Sequence, residues 1–250
     1  MPKFKKNKRR WESAYKRGPY PGLRKIEVSG RQIEISYTQK DQQAGLIITT
    51  DSNIYHAYNF SVKDQCLVIE PKEEYENASF APTTFFITTH SKKLDYLSGA
   101  GKVIFNSDAP MINEKMKIEL AGKCSVFLND KVTIDHLTTE LAGSCLFSAK
   151  QLSGKTFKGE MAGKGTLELG GILDKTTFEI AGKGNIYAFD LQVAEAQISI
   201  AGKGYVELHA TENIHWEVAG IGNLRYKGDP GTIRKEVVGI GSVKRADNGL

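Results

Sequence analysis

A short unit, apolar–small–Gly–x–Gly–x–apolar, returns eight times and limits this chain to very few folds. Its first glycines are Gly99, Gly122, Gly143, Gly163, Gly182, Gly202, Gly220 and Gly239, separated by 23, 21, 20, 19, 20, 18 and 19 residues. Near-constant spacing is the mark of a repeat array, in which each unit buries its apolar face only against its neighbours. Around each unit the apolar residues alternate: Ile180, Gly182, Gly184 and Ile186 share one parity, Ala181, Lys183 and Asn185 the other. That period of two indicates strand, and helical i, i+3, i+4 spacing is missing. A leucine-rich repeat needs several leucines per unit and a propeller blade needs about 40 residues, so neither fits. About 20 residues at ~3.3 Å each make one short turn of chain, and turns stacked ~4.8 Å apart pair in parallel. The expected fold is all-β: a right-handed parallel β-helix or β-solenoid with coils of about 20 residues and a less regular N-terminal β cap.

Stacking turns the repeats into columns. Apolar residues sit two before the first glycine (Leu97, Leu120, Leu141, Met161, Ile180, Ile200, Val218, Val237) and four after it (Val103, Val126, Phe147, Leu167, Ile186, Val206, Leu224, Val243). These are the inward columns. Glu119, Glu140, Glu160, Glu179, Glu217 and Glu236 stand three before, and Lys123, Lys164, Lys183 and Lys203 one after; these face out. Both glycine columns share the inward parity. The first is glycine in every copy, which suits a left-handed backbone turn. The second holds Cys124 and Cys145 in two copies and is expected to have ordinary β dihedrals in a confined space. Register makes these two cysteines stacked neighbours. A Cβ–Cβ distance near ~4.8 Å exceeds the usual disulfide range, so two buried free thiols are expected.

The chain divides into a basic leader at 1–22, an N-terminal β region at 23–98 and the Gly-x-Gly array at 99–245, the last two forming one continuous domain. Strands are expected at Arg24–Val28, Gln32–Tyr37, Gly45–Thr49, Cys66–Ile69 and Thr83–Thr89, with a turn at Lys40–Gln43. Residues 1–30 carry ten basic and two acidic side chains, leaving 24 basic against 27 acidic in the rest. The net charge of +5 therefore belongs to a terminus, and nucleic acid is not the expected partner. Trp11-Glu12-Ser13-Ala14-Tyr15 stands where a signal peptide would be apolar, so no signal peptide is expected in the sequence as given, and no apolar run reaches membrane-spanning length. Three cysteines without CxxC spacing and five scattered histidines give no metal site and no cofactor site.

The repeat unit over residues 95–243 resembles that of the auto-transporter adhesin head domain, the GIN domain, of Bacteroidetes-type bacteria. Tyr226-Lys227-Gly228-Asp229-Pro230 followed by Gly239-Ile240-Gly241 looks like that family's ending, and Ile26–Gly30 through Ile33–Ile35 like its opening. The resemblance covers about residues 23–245. It implies an envelope or extracellular, adhesin-like protein that contacts a protein or a surface glycan without catalysis. A pectinase-type lyase or hydrolase on a β-helix and a structural assembly module are the alternatives. No irregular acid–base pair stands out from the repeats, so no catalytic residue is expected. Two surfaces are candidates for contact. One is the anion-facing column Lys123, Lys164, Lys183 and Lys203. The other is a C-terminal patch of Trp216, Ile221, Tyr226 and Ile240, through which a homo-oligomer could form.

Overall fold

The computed structural model describes residues 11–16, 22–39, 46–76, 78, 83–89 and 93–246. They are almost entirely strand, joined in one large sheet. The strands are β1 (Trp11–Lys16), β2 (Lys25–Gln39), β3 (Leu46–Asp51), β4 (Tyr58–Lys63), β5 (Cys66–Pro71), β6 (Thr83–Thr89), β7 (Tyr96–Ser107), β8 (Met111–Leu128), β9 (Val132–Lys227) and β10 (Thr232–Arg245). One short helix, α1 (Ser52–Ala57), and a single 3-10 turn (Glu73–Tyr75) interrupt them. Neither is long and apolar enough to cross a membrane.

From β7 onward, and between β2 and its neighbours β5, β6 and β7, the pairing is parallel. β2 pairs with β7 across a register shift between Gly30 and Ile33, β7 with β8, β8 with the start of β9, and β10 with its end. At 96 residues β9 would run about 320 Å if straight. It folds back instead: backbone of Gly163 lies against Gly143, Gly182 against Gly163, Gly202 against Gly182 and Gly220 against Gly202. Each stretch of about 20 residues therefore rests on the one before it. Between the layers lies one continuous apolar core, in which Phe147, Phe157 and Phe178 follow one another at 5.7 and 5.9 Å between ring centroids.

The first-glycine column has positive φ in every repeat, from +106° to +132°. Its first member within the array is Gly101 rather than Gly99, because Gly101 pairs with Gly122 while Gly99 pairs with Leu120, and Gly30 extends the column by pairing with Gly101. The first spacing is thus 21 residues, not 23, and Lys102 joins the lysine column by pairing with Lys123. The expected inward parity of this column does not hold. Leu141 and Cys145 are buried, while Ala142, Gly143 and Ser144 are all exposed, so the chain turns a corner here. What forbids a side chain is the neighbouring layer: a Cβ on Gly163 would lie 2.5 Å from the carbonyl oxygen of Gly143. The second-glycine column has no positive φ, and there a Cβ meets side chains, such as Ile180 and Met161 at 2.9 Å from Gly184.

The cysteine expectation is corrected in its second half. Cys124 and Cys145 are stacked register partners, but they are joined in a disulfide, with Cα atoms 4.6 Å apart. Layers approach closely enough at this column for the sulfurs to meet. Cys66 is free, and burial with Glu27 nearby pushes its thiol up to about 11.

Before the array, strands at 25–39, 46–51, 66–71 and 83–89 match the expected segments, but the pairing is mixed. β1 pairs antiparallel with β3, β3 with β6, and β4 with β5. Residues 11–16, expected within a flexible leader, form a strand because the outer edge of β3 otherwise leaves its backbone groups unpaired. Asp64 and Gln65, both at positive φ, close the β4–β5 hairpin without a glycine to announce it. The turn at Lys40–Gln43 and the segment 17–21 lie outside the described residues.

Two outcomes follow. Gly163→Ala should cost about 3 kcal/mol or more in urea denaturation, since strain and a backbone clash coincide, whereas Gly184→Ala should cost about 1 kcal/mol by pressing on movable side chains; equal costs would refute the distinction. Thiol titration of the unfolded, unreduced chain should find only Cys66, and replacing Cys124 and Cys145 with Ser should lower stability by about 3 kcal/mol.

Candidate functional site

Register makes the outward columns into continuous surfaces. In the three positions preceding the corner, each layer presents a glutamate or serine, a buried apolar residue and an exposed small residue. Across layers these become Glu27, Ser98, Glu119, Glu140, Glu160 and Glu179, beside Ala100, Ala121, Ala142, Ala162 and Ala181. Between them runs an open groove of about 870 Å³, closed at one end by Val68, Ile69 and Glu70 of β5 and fading at Ser199 and Ala201. Leu120, Leu141, Met161 and Ile180 form its floor.

Stacked carboxylates repel one another, and the column two residues earlier answers this. Lys117 bridges Glu119 and Glu140, the latter at 2.8 Å. Lys158 repeats the bridge to Glu160 and Glu179 at 2.6 and 3.1 Å. His215 sits 3.1 Å from Glu217 and 3.9 Å from Glu236. Each of these side chains thus reaches two layers, and Thr138, Thr177 and Gln197 occupy the layers between. The Lys117 bond, with a second from Tyr96 Oη at 2.5 Å, holds the Glu119 carboxyl below the usual carboxylate range. The carboxylates in turn raise Lys117 and Lys158, and the Glu119 bond raises Tyr96. His215, Glu217 and Glu236 bring three ligand-type atoms within 4.8 Å of one another. Arg234 already holds Glu236, at 2.6 and 2.7 Å, so this group is the charge ladder continued rather than an open metal site.

On the other side of the corner, Lys102, Lys123, Lys164, Lys183 and Lys203 stand in one exposed or half-exposed row, broken only by Ser144. The row then becomes Ile221 (41% exposed) and its register partner Ile240 (70%). The structure groups these two with Val238 (79%), which the sequence reading passed over although it interrupts the alanine column. Trp216 does not belong to that patch. It shares the parity of Val218, is fully buried, and lies in the core, so its proposed surface role falls. Tyr226 is half-buried and packs on the core edge. The carboxylate groove itself was missed; its signal was the alanine column beside the glutamates.

The depressed Glu119 value gives the pH sign. Its contribution is complete above the ordinary glutamate pKa and is lost as pH falls through the lower, folded value. In Lys117→Met the Glu119 carboxyl should titrate higher by NMR, and the acid limb of the melting temperature should flatten; an unmoved Glu119 would show that the bridge has no electrostatic effect.

Known proteins are similar to this chain in sequence and fold. A putative lipid binding protein from Parabacteroides distasonis is 26% identical, with 95% of this chain and 97% of that one covered at a TM-score of 0.82. A putative adhesin from Parabacteroides merdae is also 26% identical, covering 97% and 98% at 0.82. A putative adhesin from Bacteroides fragilis shares the fold at 22% identity and a TM-score of 0.64, covering 95% and 97%. Among curated proteins none matches. The family described as "Putative auto-transporter adhesin, head GIN domain" matches residues 22–230, and the chain belongs to that family.

Proposed function

We propose that the chain is a right-handed β-solenoid, capped by residues 23–98, that acts at the cell surface as a non-catalytic adhesin-like module for protein or glycan contact. The observation that carries this reading is the groove of about 870 Å³ along the stacked layers. A hydrolase or lyase concentrates its chemistry in one acid–base pair set apart from its surroundings. Here the carboxylates repeat from layer to layer, and most are tied to lysines that neutralise them in pairs. Such a surface offers the same contacts many times over, which suits an extended partner. The cap and the exposed isoleucines near the C-terminus leave room for the assembly reading, with Ile221, Val238 and Ile240 as the self-contact.

The name of the Parabacteroides distasonis relative favours a lipid as a second occupant, and the alanine strip over Leu120, Leu141, Met161 and Ile180 is the feature here that accommodates an acyl chain.

Arrays of glycans, proteins and lipids probed with labelled protein test the reading. Ala142→Trp, which fills the groove while leaving the core untouched, should abolish captured binding with an unchanged melting temperature. Turnover of any glycan, abolished by Glu140→Gln alone, would overturn it in favour of an enzyme.

A further inference from the structure

The two charged columns flanking the corner are treated differently by the protein. In the groove, Glu119 and Glu140 share Lys117, and Glu160 and Glu179 share Lys158. The lysine row has nothing comparable: none of Lys102, Lys123, Lys164, Lys183 and Lys203 forms an ion pair with a described residue. In-register stacking places like charges about 4.8 Å apart, an arrangement that destabilises a sheet. The cost arises at Lys102–Lys123, Lys164–Lys183 and Lys183–Lys203, in a row about 24 Å long, and no ion pair with a described residue relieves it.

Beside the row lies a crease of about 230 Å³ lined by Ser144, Lys164, Lys183, Thr166 and Asn185. Gly165 and Cys145 complete its lining. The hydroxyl of Thr166 and the amide of Asn185 make no hydrogen bond with described side chains, so ammonium, hydroxyl and amide groups face one opening. One layer further on, Tyr205 continues the Thr166–Asn185 column, and its ring lies 6.1 Å from that of Tyr187, which is 41% exposed. Glu168 and Glu207, two positions along the chain from Thr166 and Tyr205, have their own partners in Lys150 and Arg225.

Resting on the contact function proposed above, we infer that this row and crease bind a linear acidic glycan, with carboxylate or sulfate groups on the lysines and a sugar face on the tyrosines. Three features select this partner. A polyanion with a charge on each repeat supplies counter-ions at the interval the stacked layers require. The hydroxyl and amide groups suit sugar hydroxyls, and an exposed aromatic ring suits the apolar face of a sugar. A membrane is disfavoured because the row is one lysine wide and the glutamate column runs parallel to it only four positions away, so a flat anionic surface would meet both signs.

Calorimetric titration with polygalacturonate and with heparin, against neutral dextran, tests the inference. The acidic polymers should bind, more weakly as salt rises, while dextran should not. Lys164→Gln combined with Lys183→Gln should weaken binding at least tenfold without lowering the melting temperature, and Ser144→Lys, which completes the row, should tighten it. Failure of both acidic polymers to bind, or equal binding by the double variant, would overturn the inference, as would displacement of the polymers by anionic phospholipid vesicles. If the double variant keeps the array binding that Ala142→Trp abolishes, this inference falls and the groove reading stands; if Ala142→Trp also leaves array binding intact, the groove reading falls too.

Discussion

Everything in this molecule depends on how closely one glycine backbone can lie on another. At each corner the chain takes a positive φ, and the space where a side chain would begin is already filled by the carbonyl of the preceding layer. The corner is therefore intolerant in two independent ways, by conformation and by contact. Because the same geometry recurs from Gly101 to Gly239, it sets the register of all other columns. Apolar residues meet apolar ones inside, and charges of one sign are brought together outside, whether or not that is electrostatically favourable.

The surface chemistry follows from this imposed register. A column of glutamates would be unstable alone, and the chain answers with Lys117, Lys158 and His215, each shared between two layers. Exposed pairs of this kind contribute little to folding. Their effect is to hold neighbouring carboxylates in place, so that an anionic wall stands over an alanine strip. The lysine row lies on the opposite side of the same corner, and the two surfaces are chemically separate although only a few residues divide them.

Much of this was legible in the sequence because the repeat writes its own register. The apolar columns, the exposed lysines and the special character of the first glycine could be read by aligning copies. Misreadings arose where two local signals disagreed. In Leu97-Ser98-Gly99-Ala100-Gly101-Lys102, matching Leu97 to Leu120 selects the wrong glycine, whereas matching Lys102 to Lys123 selects the right one. Trp216 was judged by its residue type when its parity with Val218 already placed it inside. The Cys124–Cys145 disulfide was discounted on an ideal layer spacing, and the two Cα atoms approach to 4.6 Å. The antiparallel pairs before the array left no comparable trace. Asp64 and Gln65 are not the residues that usually mark a tight hairpin, and β1 is fixed by the edge it covers. The groove was invisible for another reason: concavity belongs to the assembled surface and has no residue of its own.

Because each layer touches only its neighbours, the structure behaves as a ruler with one graduation per repeat. Duplicating one unit of about 20 residues would lengthen both groove and lysine row by about 4.8 Å without altering any existing contact. Gain or loss of a whole unit, a change that recombination makes in a single event, would thus change the length of both surfaces together. A point substitution at the corner glycine has no comparable freedom.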